Sequence, residues 1–323
     1  MLKTKLTDML GIKYPILMGG LQWISVAEFV AAISEAGGMS FLTAATHPTK
    51  ENFVAEIRKC RSLTDKPFGA NISMLPELTP MELTMQYAEA VIEEEIPFVE
   101  TSGRDPSPLV EKLKPAGVKI LHKVTAPQHA KSAEKAGVDA VIVVGYEGAG
   151  HPGMNQVGTF VNLPATVAEL SIPVIAAGGV CDGKSMAAAL ALGAEGVLMG
   201  TRFIATEECP VHPNFKNWII HADITDTVII QRSIRNASRA IKNDKAMTVL
   251  GLEQTGAKIG ELLPYISGKL GREVLKSGEL DKAVLTAGQD CGRIQDIVSV
   301  KELLPRMIAE AEECIRGMSA RIV

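Results

Sequence analysis

Eight short apolar runs, separated by amphipathic stretches, fill the first 204 residues of the chain. They are YPILMGG (14–20), MSFLTA (39–44), FGANISM (68–74), FVETSG (98–103), KILHKV (119–124), AVIVVGY (140–146), PVIAAGG (173–179) and GVLMGTRF (196–203). Each lacks the strict apolar–polar alternation of a half-exposed strand, so each suits a parallel strand buried on both faces. Between them, SVAEFVAAISEAG, NFVAEIRKCRSL, LTMQYAEAVIEEE, APQHAKSAEKAG and SMAAALALG carry helical spacing. Gly37, Gly117, Gly137 and Gly193 stand just before a strand, where a left-handed glycine ends a helix at little cost.

Strand and helix in regular alternation predict an α/β fold with a parallel sheet. Eight strands fit before residue 204, but only seven connecting helices do. The missing outer helix is assigned to VSVKELLPRMIAEAEECIRGM (298–318), acidic early and basic late. The expected fold is a TIM (β/α)8 barrel with a helical insertion after strand eight and the eighth outer helix supplied by the C-terminus. The expected division is 1–205 with 286–323 for the barrel and 206–285 for the inserted cap, which holds AMTVLGLEQTGAKIGELLPYIS. An open doubly wound sheet with a helical second domain is the alternative. Eight near-equal units favour closure.

Composition removes several functions. At 323 residues and 46% hydrophobic the chain can bury a large core. A net charge of −4, aromatics at 4% and no basic run exclude a nucleic-acid surface. No window of eighteen apolar residues predicts a membrane span, and the N-terminus lacks a leader pattern, so a cytoplasmic protein is expected. Cys60, Cys181, Cys209, Cys291 and Cys314 form no C-x-x-C pair and read as reduced thiols. The six histidines show no metal-pair spacing and no H-E-x-x-H, so no metal site is expected.

In such a barrel the chemistry comes from loops after the strands. AAGGVCDG (176–183) and MGTRF (199–203) follow strands seven and eight, the loops that barrels use for phosphate. Lys123 ends a buried strand and must either meet an anion in the barrel mouth or turn out to solvent. His122 beside it faces the opposite way. His151 lies in GYEGAGHPG (145–153), the glycine-rich loop after strand six, and an imidazole there suits proton transfer near neutral pH. Arg232, Arg235 and Arg239 would share one face if RSIRNASR were helical, as a solvated basic face or as a contact to a substrate or nucleotide phosphate.

These segments together resemble the nitronate monooxygenases, formerly called 2-nitropropane dioxygenases. The likeness spans nearly the whole chain, through YPILMGGLQW, DKPFGANISMLP, ETSGRDP, LHKVTA, GYEGAGHPG, IAAGGVCDG, MGTRFIATEECPVHP and RSIRNASRAIKN. The resemblance implies an FMN-dependent TIM-barrel oxidoreductase. On the family pattern Gly20, Leu21 and Gln22 would line the flavin ring, Asn71 and Ser73 would contact FMN, and Lys123 would reach the pyrimidine side. Ala149 and Gly150 would pass close to the cofactor, and Ala177, Gly178, Gly179, Gly200 and Thr201 would hold its phosphate. Gln289 would face the ring, and His151 is the family's catalytic histidine.

The resemblance implies oxidation of alkyl nitronates or nitroalkanes with O2. The alternative is NAD(P)H:quinone reduction at the same FMN site, with MLPELTP (74–80) as a loop over the nicotinamide. The related FMN-dependent enoyl-acyl-carrier-protein reductases tend to EAGGH-hydrophobe-G where this chain has EGAGHPG. A barrel that only binds a flavin or a phosphorylated metabolite is the non-enzymatic reading. The partner expected is a small molecule, and the cap offers a surface for a homodimer.

Overall fold

The computed structural model describes residues 2–74 and 80–322. Eight parallel strands close into a barrel: β1 (Ile16–Met18), β2 (Met39–Thr43), β3 (Gly69–Ser73), β4 (Phe98–Ser102), β5 (Lys119–Val124), β6 (Ala140–Val144), β7 (Val174–Ala177) and β8 (Gly196–Met199). Closure is made by β1 on β8, with Leu17 opposite Leu198 and Met18 opposite Met199. All eight lie inside the runs read from sequence. The eighth stops early because Thr201–Ile204 turns into a helix.

The alternation of side chains explains why those runs are apolar throughout. Leu17, Phe41, Leu121, Ile142, Ile175 and Leu198 fill the barrel interior. Ile16, Leu42, Ala70, Val99, Ile120, Val141 and Val197 face the helical shell. A short helix, α1 (Lys5–Leu10), closes the N-terminal end: Leu6 and Leu10 join the interior cluster, and Lys119 Nζ donates to the Met9 carbonyl at 3.2 Å.

The shell follows the strands in order: α2 (Ala27–Glu35), α3 (Lys50–Leu63), α4 (Met81–Glu93), α5 (Ser107–Leu113), α6 (Pro127–Ala136), α7 (Thr159–Val167) and α8 (Gly183–Ala191). After β8 come a single turn, α9 (Thr201–Ile204), and then α10 (Pro213–His221). An antiparallel hairpin follows, β9 (Thr227–Ile230) and β10 (Ser238–Ile241), then α11 (Asp244–Gln254), α12 (Ile259–Ile266) and α13 (Gly268–Ser277). The last helix, α14 (Val300–Ser319), packs between α8 and α2 and so takes the eighth outer place. The approach is close at Gly183, where a Cβ would stand 2.4 Å from the Met307 carbonyl. Gly37, Gly117, Gly137 and Gly193 all have positive φ.

The inserted segment is helical as expected but also contains the hairpin, whose Ile230 and Ala240 share a small core with Ala246, Val249 and Leu262. RSIRNASR is therefore not a helix. It runs through a turn with Gln231 and Arg235 in the left-handed region (φ 62° and 57°) and into β10. Arg232 and Arg235 are exposed, while Arg239 is buried, so the three share no face.

Candidate active site at the C-terminal mouth

A cavity of about 890 Å³ opens at the C-terminal ends of the strands, under the hairpin and α13. Its wall includes Gly20, Leu21 and Gln22 after β1, Asn71 and Ser73 on β3, and Lys123 on β5. It continues through Ala149, Gly150 and His151 after β6, Ala177 and Gly178 after β7, and Gly200 and Thr201 after β8. Gly179 and Gln289 lie outside this lining, and Asp290 beside Gln289 lies within it.

The floor joins Lys123, Asn71 and Gly20 to an acid, Glu100, for which the sequence alone offers no role. Glu100 points inward from β4 and is completely buried. Its Oε1 lies 2.7 Å from Lys123 Nζ, and its Oε2 accepts from Asn71 Nδ2 at 2.6 Å and from the Gly20 N–H at 2.8 Å. A buried carboxylate needs such partners to offset its lost hydration. Lys123 therefore finds its anion inside the mouth. Gly20 has no room for a side chain, since a Cβ would fall 2.3 Å from the Asn71 side chain. His122, on the other face of β5, is held at 2.7 Å from Thr101 Oγ1. Burial pushes its pKa down to about 4, so it is neutral at pH 7.

The loop after β6 is fixed from several directions. The Glu147 carboxylate accepts from the Thr159 N–H at 2.9 and 3.1 Å, where α7 begins, and its carbonyl accepts from the Gln289 N–H at 2.9 Å. Gly148 lies against the next loop, where a Cβ on Gly178 would approach the Gly148 nitrogen to 3.0 Å. Gly150 is bridged to β10: its N–H donates to the Arg239 carbonyl at 3.2 Å, and the Arg239 N–H returns to the Gly150 carbonyl at 2.6 Å. The Arg239 guanidinium donates to the Tyr146 carbonyl at 2.7 and 3.1 Å and to Thr227 Oγ1 at 3.0 Å, stacked 5.0 Å from the Tyr146 ring centre. His151 stands exposed on the cavity side of this anchored backbone, followed by buried Pro152.

Two glycines of the wall face open space, Gly200 after β8 and Gly150 after β6. Beyond Gly200 only Leu21 Cδ2 comes within 4 Å of a Cβ position, at 3.6 Å, and beyond Gly150 nothing does. Thr201 Oγ1 accepts from the Gly288 N–H at 2.9 Å, which leaves its own O–H to donate to a ligand. Asp290 is pushed up to about 7 by burial. Four thiols, Cys60, Cys181, Cys209 and Cys291, are buried and pushed up to about 12, so they are not nucleophiles. Among the described residues no group of three His, Cys, Asp or Glu is placed to hold a metal ion.

Open space against bare glycines, a cation on the floor and a hydroxyl beside the β8 loop fit a flat ring carrying a phosphate tail. That fit defines the class as the flavin-dependent barrel oxidoreductases. The nitronate monooxygenase family model matches residues 3–310. The chain belongs to the nitronate monooxygenase family and is an FMN-dependent oxidoreductase acting on a small molecule. A probable nitronate monooxygenase of Staphylococcus haemolyticus is 30% identical over 95% of this chain and 97% of that protein. The (3aS,4S,5R,7aS)-5-hydroxy-7a-methyl-1-oxo-octahydro-1H-indene-4-carboxyl-CoA dehydrogenase of Rhodococcus jostii is 31% identical over 99% and 98%. The structure of FabK from Thermotoga maritima superposes with a TM-score of 0.93 at 35% identity, each chain covered in full.

Proposed function

We propose that the cavity holds FMN and that the enzyme oxidises alkyl nitronates, with O2 as the final electron acceptor. The observation that carries this reading is His151, set at the cavity edge on a loop whose backbone is fixed by Glu147 and Arg239. Fixed placement is what a proton-handling group needs. FMN, when bound, supplies the acceptor for the substrate's electron pair. Gly178, Gly200 and Thr201 would hold the phosphate, Ala177 and Gly179 would support that loop, and Gly20, Leu21, Gln22, Asn71, Ser73, Ala149 and Gly150 would frame the ring. Lys123 would meet the pyrimidine edge. His151 would take the proton from a neutral nitroalkane or orient the nitronate by a hydrogen bond. The inserted segment 206–285 would act as the cap that keeps water from the reacting carbon.

The test is anaerobic bleaching of the yellow protein. A nitronate should remove the flavin absorbance, whereas loss of colour with NADH instead points to the quinone reductase. The 75–79 part of the loop expected to cover a nicotinamide lies outside the described residues. His151→Ala should keep FMN bound and slow bleaching by a neutral nitroalkane at least about 100-fold, the usual weight of a positioned base. An unchanged rate would make His151 structural.

A second reading has its own support. The Rhodococcus relative is named for a carboxyl-CoA substrate, and the cavity here continues past the barrel mouth along Arg104, Pro106, His129 and Ser132. The same site would then accept a long acyl thioester. Bleaching by an acyl-CoA but not by a nitronate would favour that reading.

A further inference from the structure

We propose that Glu100 is a positioning residue that holds Lys123 in place and largely cancels its charge, and so keeps the reduction potential of the bound flavin low. This rests on the FMN reading above. Glu100 is the fully buried carboxylate of the floor, pinned from three strands' worth of structure: Gly20 after β1, Asn71 on β3 and Lys123 on β5. Its Oε1 has no hydrogen bond of ordinary geometry among the described residues and meets only the ammonium. The carboxylate therefore cannot swing away without abandoning both donors on Oε2.

Lys123 retains some exposure toward the cavity, so one side of its ammonium faces the place a ring edge would occupy. An unpaired ammonium there would stabilise the negative charge of a reduced ring through a short path of low dielectric. Paired with Glu100 at 2.7 Å, it offers a hydrogen bond with little net charge. A ring over a neutral pair is harder to reduce and hands electrons on more readily. Gly19 belongs to the same device, because a Cβ there would stand 2.9 Å from Lys123 Nζ and 3.3 Å from Glu100 Oε1 and crowd the pair.

The experiment measures the flavin reduction potential and the affinity for sulfite, which adds to an electron-poor ring. Four proteins are compared: wild type, Glu100→Gln, Lys123→Met and the double variant. Glu100→Gln should favour reduced over oxidised flavin by at least tenfold, about 30 mV upward for a two-electron couple, and tighten sulfite binding by a similar factor. In the Lys123→Met background the same change should shift either quantity by a clearly smaller factor, since the ammonium that Glu100 offsets is gone. Equal shifts in both backgrounds, or none in either, overturn the proposal. If Glu100→Gln does not fold with flavin, Glu100→Asp draws the carboxylate back from the ammonium and should move the potential the same way, and an unchanged potential there refutes it. A wild-type protein that carries no flavin refutes the cofactor reading instead. The pairing is then judged by thermal unfolding, where Glu100→Gln must restore part of the stability that Lys123→Met removes.

Discussion

Asp290 sits in the cavity wall with its carboxyl pushed up to about 7 by burial, against the pull of Arg202 and Arg293. The folded protein therefore binds a proton that the unfolded chain, with an ordinary carboxylate, has already released. The resulting stability is fully present below about pH 4 and is lost as pH rises through about 7. Asp290→Asn should flatten that part of the stability profile, so the variant gains on wild type from pH 4.5 to 8 in denaturant unfolding. Parallel profiles would mean that Asp290 is ionised throughout. At this scale sequence gave a divided answer. Lys123 had two open directions, and only the inward Glu100 one strand away decides between them. Glu100 was visible as an acid inside the buried run FVETSG, but its partners lie 23, 29 and 80 positions off, so pairing needed the barrel's register. His122 followed simply from alternation along β5.

The elements differ in how well local pattern defines them. The barrel strands are buried on both faces, so a continuous apolar run marks each one, and α14 follows from counting seven helices for eight strands. The hairpin carries no such mark. Its strands, TVII and SRAI, are four residues each, and the arginine spacing beside them fits a helix equally well. The packing of Ile230 and Ala240 with α11 and α12, the strand pairing and the Gly150 bridge select the extended form. That hairpin reaches into the site through Arg239, so its side chain can be tested apart from its backbone bridge. Arg239→Met should keep the Gly150 bridge but lose the bonds to the Tyr146 carbonyl, costing about 1–3 kcal/mol for the orphaned group. Hydrogen exchange should quicken at residues 145–150 before it does in β6. Uniform quickening across the barrel would show that the guanidinium supports the whole fold and not that loop.

For the molecule as a whole, chain order and spatial order part company at the end: the last helix returns to stand beside the first shell helix. Closure of the shell therefore waits for residue 300 and beyond. A chain ending at residue 297 would uncover the flanks of α8 and α2, including Gly183, which lies against Met307 and Ala311. It should lose cooperative unfolding and bind an exposed-surface dye, whereas a sharp transition near the full-length midpoint would show the barrel closed without α14. We propose the division into a barrel of 1–205 with 286–323 and a cap of 206–285 on the same ground, since the cap has its own small core. Among the described residues no helix is long and apolar enough to cross a membrane.

Leu6 and Leu10 stopper the barrel from beneath, and the interior above them is solid side chain. Among the described residues the chamber is therefore closed toward that helix and opens beneath the inserted segment. A helix at the far end from the chemistry thus turns ligand entry toward the inserted segment.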